Sequence, residues 1–513
     1  MSTWNDGYVS DIEYLPGFYV DQSPAHLDLV CLLRNVEPPV AAGEPFRYCE
    51  LGCGVGESAL AIAAANPDSE VWGFDFNPAH IARGRELARS GGLGNIRLEE
   101  ASFEELAQSD RFGLPVFDYI TLHGVWAWIS AANRAAITRF IDRHLKPGGL
   151  AYVTYNALPG WTSTMPLQRL ISDFAALGHE RSDIGVSKAI DLARRVCDAG
   201  AGLLPADLVA RLEKERDSGN LAYLSHEYLN AHWAPCYHAD VARDLAAAKL
   251  EFVGSANLLE NFPELSLNAG QRTLIQDAPD GMRETLRDYF MVRTFRRDVF
   301  MRGVRLIPDR RRDKRLRERS LMLVVPPSAV TRDIKVPLGE ANLNEGFYAP
   351  ALKALTEGPR SIGELLDLPE AAGSTASARE VLGMLVGSRQ AMAVVNAVTP
   401  EAVVAARTYN RHHLAACADA GRAVTALAAP AIGSAVTVTV FEMLAYEALT
   451  SGTSADPAAL TAAVWTLLQS RGDKVRHEGS IIESEEENLR ILRDNMEKIT
   501  MVALPLWRRL GAL

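Results

Sequence analysis

No pair of cysteines in this sequence is spaced as CxxC. The six lie scattered at positions 31, 49, 53, 197, 236 and 417. Neither a disulfide framework nor a cysteine-rich zinc site is therefore expected, and a reducing, cytoplasmic setting fits. Positive charge is also in deficit, with 53 Lys and Arg against 64 Asp and Glu and a formal net charge of -11. An acidic chain repels a phosphate backbone, so no nucleic-acid partner is expected. The basic run from Arg310 to Arg319 is a local exception that reads as a solvated helix or linker. Long apolar runs are missing too. The longest uncharged stretch, from Ala423 to Phe441, is broken by Pro430, Gly433 and Ser434, and its second half alternates like a strand. The opening residues lack the basic-then-apolar pattern of a signal peptide, so no membrane association is expected. No fixed-period repeat is present.

What is present is ordinary globular composition, 48% hydrophobic and 23% charged. A chain of 513 residues is too long for one core and should divide into two to four domains. From Phe46 to Asn156 short apolar strands alternate with helices, the signature of a parallel sheet covered on both faces. Strands are expected at 47–51, 70–74, 95–99, 117–122 and 150–155, with a helix at 134–144 ended by Lys146-Pro-Gly-Gly149. A sixth strand is expected at 250–255 and a seventh at 299–305. The expected fold class is α/β: a seven-stranded Rossmann-like sheet at 1–308 carrying a helical insertion at about 165–248. A basic linker is expected at 309–342, then a winged-helix-like domain at 343–400 and a mainly helical C-terminal domain at 401–513.

The chemistry is concentrated in Glu50-Leu-Gly-Cys-Gly-Val-Gly56, where Gly52, Gly54 and Gly56 follow a strand and open a helix. Glycines let the backbone turn sharply and approach a ligand, and helix N–H groups then face its anionic end. The spacing is G-x-G-x-G, not the G-x-G-x-x-G of dinucleotide enzymes. S-adenosylmethionine has an α-ammonium and no pyrophosphate, and Glu50 can favour that cation. Cys53 reads as a small loop residue beside the ligand. Asp75, at the end of the second strand and followed by Phe76, can accept the ribose hydroxyl protons. A helix cap is its structural alternative, since Asn77-Pro78 follows. After the third strand, Ala101, Ser102 and Phe103 are the candidates for the adenine, with plain loop packing as the alternative.

The fourth strand runs into His123-Gly-Val-Trp126-Ala-Trp128, and the fifth into Tyr155-Asn156 and, farther on, Trp161. Ligands of open α/β sheets sit beyond the carboxyl ends of strands, so these loops should border the transferred group. His123, Trp126, Tyr155 and Asn156 are the candidate catalytic residues, and His123 is also a candidate cofactor contact. The aromatic rings could steer an amine, or could simply be core. The cluster His226, His232, Cys236 and His238 has no metal-ligand spacing, and no metal is assigned. The expected third helix of the winged-helix-like segment carries Arg379 as its only cation, too little for DNA readout.

These residues resemble bacterial class I methyltransferases that carry a methyltransferase regulatory domain, a group that includes the rickettsial outer-membrane-protein lysine methyltransferases. The matching pieces are Glu50–Gly56, Asp75-Phe-Asn-Pro78, His123–Ser130, Tyr155–Trp161, His226-Glu-Tyr-Leu-Asn-Ala-His-Trp233 and Phe295-Arg-Arg-Asp-Val-Phe300. The resemblance spans nearly the whole chain and implies S-adenosylmethionine as cofactor. The lysine-methylating members carry a richer Pro/Tyr segment than residues 14–24 here, where Tyr14 and Tyr19 are candidates to lid the cofactor. The function expected is in-line methyl transfer to a protein side chain, lysine first. A small-molecule or glycan acceptor is the alternative, and a cofactor-sensing regulator without catalysis is a third reading. No Asn/Asp-Pro-Pro-aromatic motif follows the fourth strand, which argues against methylation of nucleobase or glutamine amino groups.

Overall fold

Apolar strands separated by glycine turns assemble the central sheet: β1 (Arg47–Leu51), β2 (Glu70–Asp75), β3 (Ile96–Glu100), β4 (Phe117–Leu122), β5 (Leu145–Asn156), β6 (Leu250–Ser255) and β7 (Phe295–Arg302). The computed structural model describes residues 6–12, 17–108, 110–395, 397–477 and 480–513. Tyr14 therefore lies outside the described residues. The strand order is β3-β2-β1-β4-β5-β7-β6. The first five strands pair in parallel, and β7 runs antiparallel between β5 and β6. Tyr48, Cys49, Tyr119 and Ile120 are buried in the middle strands, as a sheet covered on both faces requires.

The covering helices are α1 (Pro24–Leu33), α2 (Glu57–Ala65), α3 (Pro78–Ser90), α4 (Phe103–Gln108) and α5 (Ala131–His144). All nine residues of α2 are buried, and its alanines let it lie against the sheet on one side and the C-terminal region on the other. The fifth strand begins at Leu145, five residues earlier than the 150 expected from sequence, so Lys146-Pro-Gly-Gly149 lies inside the strand. The seventh strand runs Phe295–Arg302 in place of the expected 299–305. Its first half carries Arg296 and Asp298, both buried, and buried charge hides a strand from an apolar pattern.

Between β5 and β6, α6 (Met165–Leu177), α7 (Ser182–Asp198), α8 (Ala206–Asp217) and α9 (Leu221–Tyr228) build a helical roof, and α10 (His238–Ala246) returns the chain to the sheet. The roof has its own small core, including Leu167, Ile171, Ile190 and Leu224. Before β7 come α11 (Ala269–Asp277) and α12 (Asp280–Met291).

The segment expected as a basic linker is folded instead, into α13 (Asp309–Arg317), β8 (Ser320–Leu323), β9 (Asp333–Val336) and β10 (Gly339–Asn342). Leu316 is buried, and Arg315 pairs with Glu37 at 2.7 Å, so the basic run is anchored by one apolar contact and by ion pairs. Then follow α14 (Glu345–Glu357), β11 (Arg360–Ser361), α15 (Ile362–Leu366), α16 (Ala378–Gly387) and β12 (Ala391–Val394), with β8 between β11 and β12 in one small sheet. Arg379 of α16 donates to the carbonyls of Leu33 and Asn261 and lies over Phe262, docking this unit onto the sheet domain. The C-terminal region comprises α17 (Pro400–Asp419), the hairpin β13 (Val424–Ala429) and β14 (Ser434–Thr439), α18 (Val440–Thr450), α19 (Pro457–Ser470), α20 (Glu485–Lys498) and α21 (Leu504–Arg509). No helix among the described residues is long and apolar enough to cross a membrane.

Candidate active site

The loop after β1 turns back on itself through three left-handed glycines, Gly52, Gly54 and Gly56, with φ of +69°, +57° and +78°. A side chain is strained in that region. At Gly52 a Cβ would also stand 2.6 Å from Val125 Cγ2. The amides of Gly52 and Cys53 donate to the Phe74 carbonyl at 2.8 and 3.0 Å, which ties the loop to β2. Asp75, buried at the end of β2, accepts from the Gly54 amide (2.9 Å) and the Asn77 amide (2.9 Å), so it organises the loop as well as facing the cavity. The helix-capping role falls to Asn77, whose side chain accepts from the Ala79 amide at 3.0 Å.

A cavity opens over this loop. Of the residues singled out in the sequence, Tyr19, Glu50, Gly52, Cys53, Gly54, Asp75, Phe76, Phe103 and His123 line it. Gly56, Ala101 and Ser102 do not line it. Gly56 instead gives Leu98 room to pack, Ala101 is buried, and Ser102 caps α4 by accepting from the Glu105 amide at 3.2 Å. Phe103 is joined in the lining by the apolar residues Val55, Val125 and Ile129.

Glu50 is one of the carboxylates in the cavity lining. Its Oε1 accepts from Gln22 Nε2 at 2.9 Å and the Ala59 amide also approaches the carboxylate, while the buried Oε2 makes no close hydrogen bond among the described residues. Burial, helped by the nearby charge of Asp75, lifts its pKa to about 7 against the opposing Gln22 and Ala59 hydrogen bonds. A buried carboxylate oxygen without a partner is costly, and an ammonium group offsets that cost. A lining that combines two carboxylates, Glu50 and Asp75, with apolar walls suits an amino acid joined to a nucleoside.

Aromatic rings meet at the cavity. Tyr19 stacks on His123 with ring centroids 3.6 Å apart, and Tyr8 meets Phe76 edge-on at 5.7 Å. The N-terminal strap carrying Tyr8 is held to the roof, with Val9 N–H donating to Asn230 Oδ1 at 2.9 Å and Ala231 N–H to the Gly7 carbonyl at 3.0 Å. Burial, and secondarily the Arg297 charge, lowers the His123 pKa to about 3, so its ring is neutral. His123 Nδ1 sits 3.1 Å from Tyr152 Oη.

A second cavity adjoins the first, and Tyr8, Tyr19, His123, Gly124 and Trp128 line both. Asn156 faces it from the end of β5, and Glu227, Tyr223 and Tyr228 from the roof. Two expected catalytic residues do not line either cavity. Trp126 is wholly buried in the core, whereas Trp128, in the same core, also borders both cavities. Tyr155 is also wholly buried, its hydroxyl donating to Asp298 Oδ2 at 2.6 Å. Asp298 further accepts from Arg296 Nε (2.9 Å), and His238 Nδ1 lies 2.9 Å away. Burial alone would raise the Asp298 pKa, but Arg296 and His238 outweigh it and hold the value at about 2. Arg296 also reaches Asp288 (2.6 Å) and Glu284 (3.0 Å), so this charge network fastens α12 to the sheet.

The histidine cluster disperses. His226 lines the second cavity, His232 lies 3.7 Å from Asp6, and His238 belongs to the network around Asp298. Sequence reasoning did not single out Tyr8 or Glu227. Glu227 stands within the motif 226–233, where an acid beside a histidine and aromatics was the available signal.

Residues 44–182 match the family model of a methyltransferase domain, and residues 220–302 match that of a predicted methyltransferase regulatory domain. The uncharacterized protein sll1526 of Synechocystis sp. is 34% identical over 516 residues, covering 99% of each chain. The chain belongs to the class I methyltransferases with a methyltransferase regulatory domain. This methyltransferase uses S-adenosylmethionine. The uncharacterized protein RP789 of Rickettsia prowazekii is 28% identical over 246 residues, 47% of this methyltransferase and 42% of that protein. The structure of PKMT2 from Rickettsia typhi shares the fold along 98% of this chain and 99% of its own, with a TM-score of 0.66 at 16% identity. The same Rickettsia protein in complex with AdoHcy gives 0.66 at 17%.

Proposed function

We propose that this methyltransferase N-methylates an amine, with a protein lysine side chain as the acceptor. The observation that carries this reading is the aromatic junction between the two cavities. The described residues common to both cavities are Tyr8, Tyr19, His123, Gly124 and Trp128, and the Tyr8, Tyr19 and Trp128 rings suit a cationic or amine head group passing between them. An alcohol acceptor would need a strong base at this point. His123, with its pKa near 3, is a weak one.

S-adenosylmethionine, when bound, supplies a methyl group already activated on a sulfonium. Glu50 and the glycine loop would hold its amino-acid end, Asp75 its ribose, and Phe103 its base. The chain then contributes alignment, since the junction fixes one line of approach and a nucleophile at about 3 Å reacts by proximity. The aromatic lid excludes water, and a dry wall lowers the pKa of an ammonium from its usual value of about 10.4. The sequence resemblance to lysine-methylating relatives agrees with this acceptor.

The test is incubation of the full chain with methyl-labelled S-adenosylmethionine and a cell lysate. Label is expected in protein, stable to alkali and recovered as methylated lysine. Alkali-labile label, or label confined to small molecules, would overturn the reading.

A further inference from the structure

We infer that Glu227, oriented by Asn156, is the group that receives the amine acceptor and takes its proton. This inference rests on the amine reading above and names the residue that reading lacks. Glu227 lines the second cavity near the end of α9, within reach of the end of β5. Asn156, buried at the last position of β5, donates from Nδ2 to Glu227 Oε1 at 2.8 Å. The Asn156 carbonyl in turn accepts from the Cys236 amide at 2.8 Å, so the residue that aims Glu227 is fixed by backbone pairing.

The electrostatic setting differs from that of the neighbouring acids. Asp21 has Arg297 at 3.1 Å, and Asp298 has Arg296. Arg211, Glu215 and Arg297 line the same cavity, but among the described residues no cation pairs with Glu227 within ion-pair distance, and its hydrogen bond comes from the neutral Asn156 amide. A carboxylate taken out of water without a counter-charge is unfavourable, and a cationic ligand relieves that. Burial raises the Glu227 pKa to about 7, less the effect of the Asn156 hydrogen bond, which suits a group that must gain and lose a proton near neutrality.

The step balances as follows. The ammonium N–H bond breaks, its proton passes to a Glu227 carboxylate oxygen, and the electron pair stays on nitrogen. Nitrogen then forms the bond to the methyl carbon while the carbon–sulfur bond breaks, its pair remaining on sulfur. Glu227 gives the proton to water when product leaves.

The experiment compares the full-length wild type with Glu227→Gln and Glu227→Asp, using methyl-labelled S-adenosylmethionine and lysate protein as the probe, from pH 6 to 9. We expect Glu227→Gln to lower the rate into lysine about a hundredfold, the scale of general-base catalysis. The titrating arm near pH 7 should vanish, with cofactor affinity by calorimetry within twofold. Glu227→Asp should keep an arm at a lower rate. If wild type labels lysine but Glu227→Gln retains the rate or the arm, the role of Glu227 is overturned and the amine acceptor stands. If the wild-type label is alkali-labile, the amine reading falls and this inference with it. If Glu227→Gln loses folding or cofactor affinity, Glu227→Asp decides: a retained arm supports the proposal, and its loss in a folded Asp variant overturns it.

Discussion

Arg422 Nη1 donates to Glu57 Oε2 at 2.8 Å across 365 residues of chain, so the C-terminal region grips the helix that begins at the cofactor loop. Glu57 follows Gly56 directly, is nearly wholly buried and lines the cofactor cavity. Thr425 Oγ1 donates to its other oxygen at 2.7 Å, and His413 Nε2 lies 3.7 Å away. Removing Arg422 strips the buried Glu57 carboxylate of one charged hydrogen bond while Thr425 and His413 remain, at a cost of about 2 kcal/mol. Arg422→Ala is therefore expected to lower stability by about that amount in urea denaturation. Calorimetry should show several-fold weaker S-adenosylmethionine binding, because the first turn of α2 loses its anchor.

The same clamp makes stability depend on pH in a defined direction. Burial opposes charge on His413, but hydrogen bonds to Cys417 and Glu57 outweigh it and raise the pKa from 6.5 to about 9. Burial likewise opposes charge on Glu57, and His413 and Arg422 outweigh it, lowering the pKa from 4.5 to about 2. A raised histidine stabilises the fold fully below 6.5 and loses that contribution as pH rises through 9. A depressed carboxylate stabilises above 4.5 and loses its contribution as pH falls towards 2. The clamp is thus strongest between these limits. The melting temperature should fall from pH 6.5 to 9, and His413→Gln should flatten that decline. Equal slopes in the two proteins would rule out this assignment.

Asp75 is expected to act twice, on the loop and on the ribose. Asp75→Ala should weaken S-adenosylmethionine binding about tenfold or more, the scale of losing charged hydrogen bonds. Asp75→Asn keeps an oxygen able to accept from the Gly54 amide and should fall between wild type and alanine. Calorimetry at one pH distinguishes the three proteins, and equal affinities would remove the ribose contact.

Tyr155 should behave as a structural residue. Tyr155→Phe removes a hydrogen bond to the buried Asp298 carboxylate, a change of about 2 kcal/mol in stability. Cofactor affinity should stay within twofold, and the transfer rate should change little. A hundredfold loss of rate at unchanged stability would return Tyr155 to the active site.

The cofactor half of the site was legible because its signals are local. An apolar strand, a glycine turn and an acid at the next strand end stand within Glu50 to Asp75 and need no tertiary knowledge. The acceptor half was less legible because packing assembles it. Tyr8 arrives on an N-terminal strap and Glu227 on the helical roof, far from each other in sequence. Tyr155 and Asn156 both stand at the end of β5, but successive strand side chains point to opposite faces. One reaches the charge network and the other the cavity, and the alternation itself signals that only one of the two could face the acceptor. The turn after β4 gives no such period, so Trp126 and Trp128 could not be told apart in advance. Buried Arg296 and Asp298 shifted the seventh strand for the opposite reason, since a paired charge inside a strand imitates a surface.

The most direct measurement is a crystal structure of the full chain grown with S-adenosylhomocysteine. The ligand's ammonium is expected at Glu50 Oε2, its ribose hydroxyls at Asp75 and its sulfur facing the Tyr19–His123 stack, open towards the second cavity. Ligand density elsewhere, or a sulfur turned away from that junction, would contradict this placement.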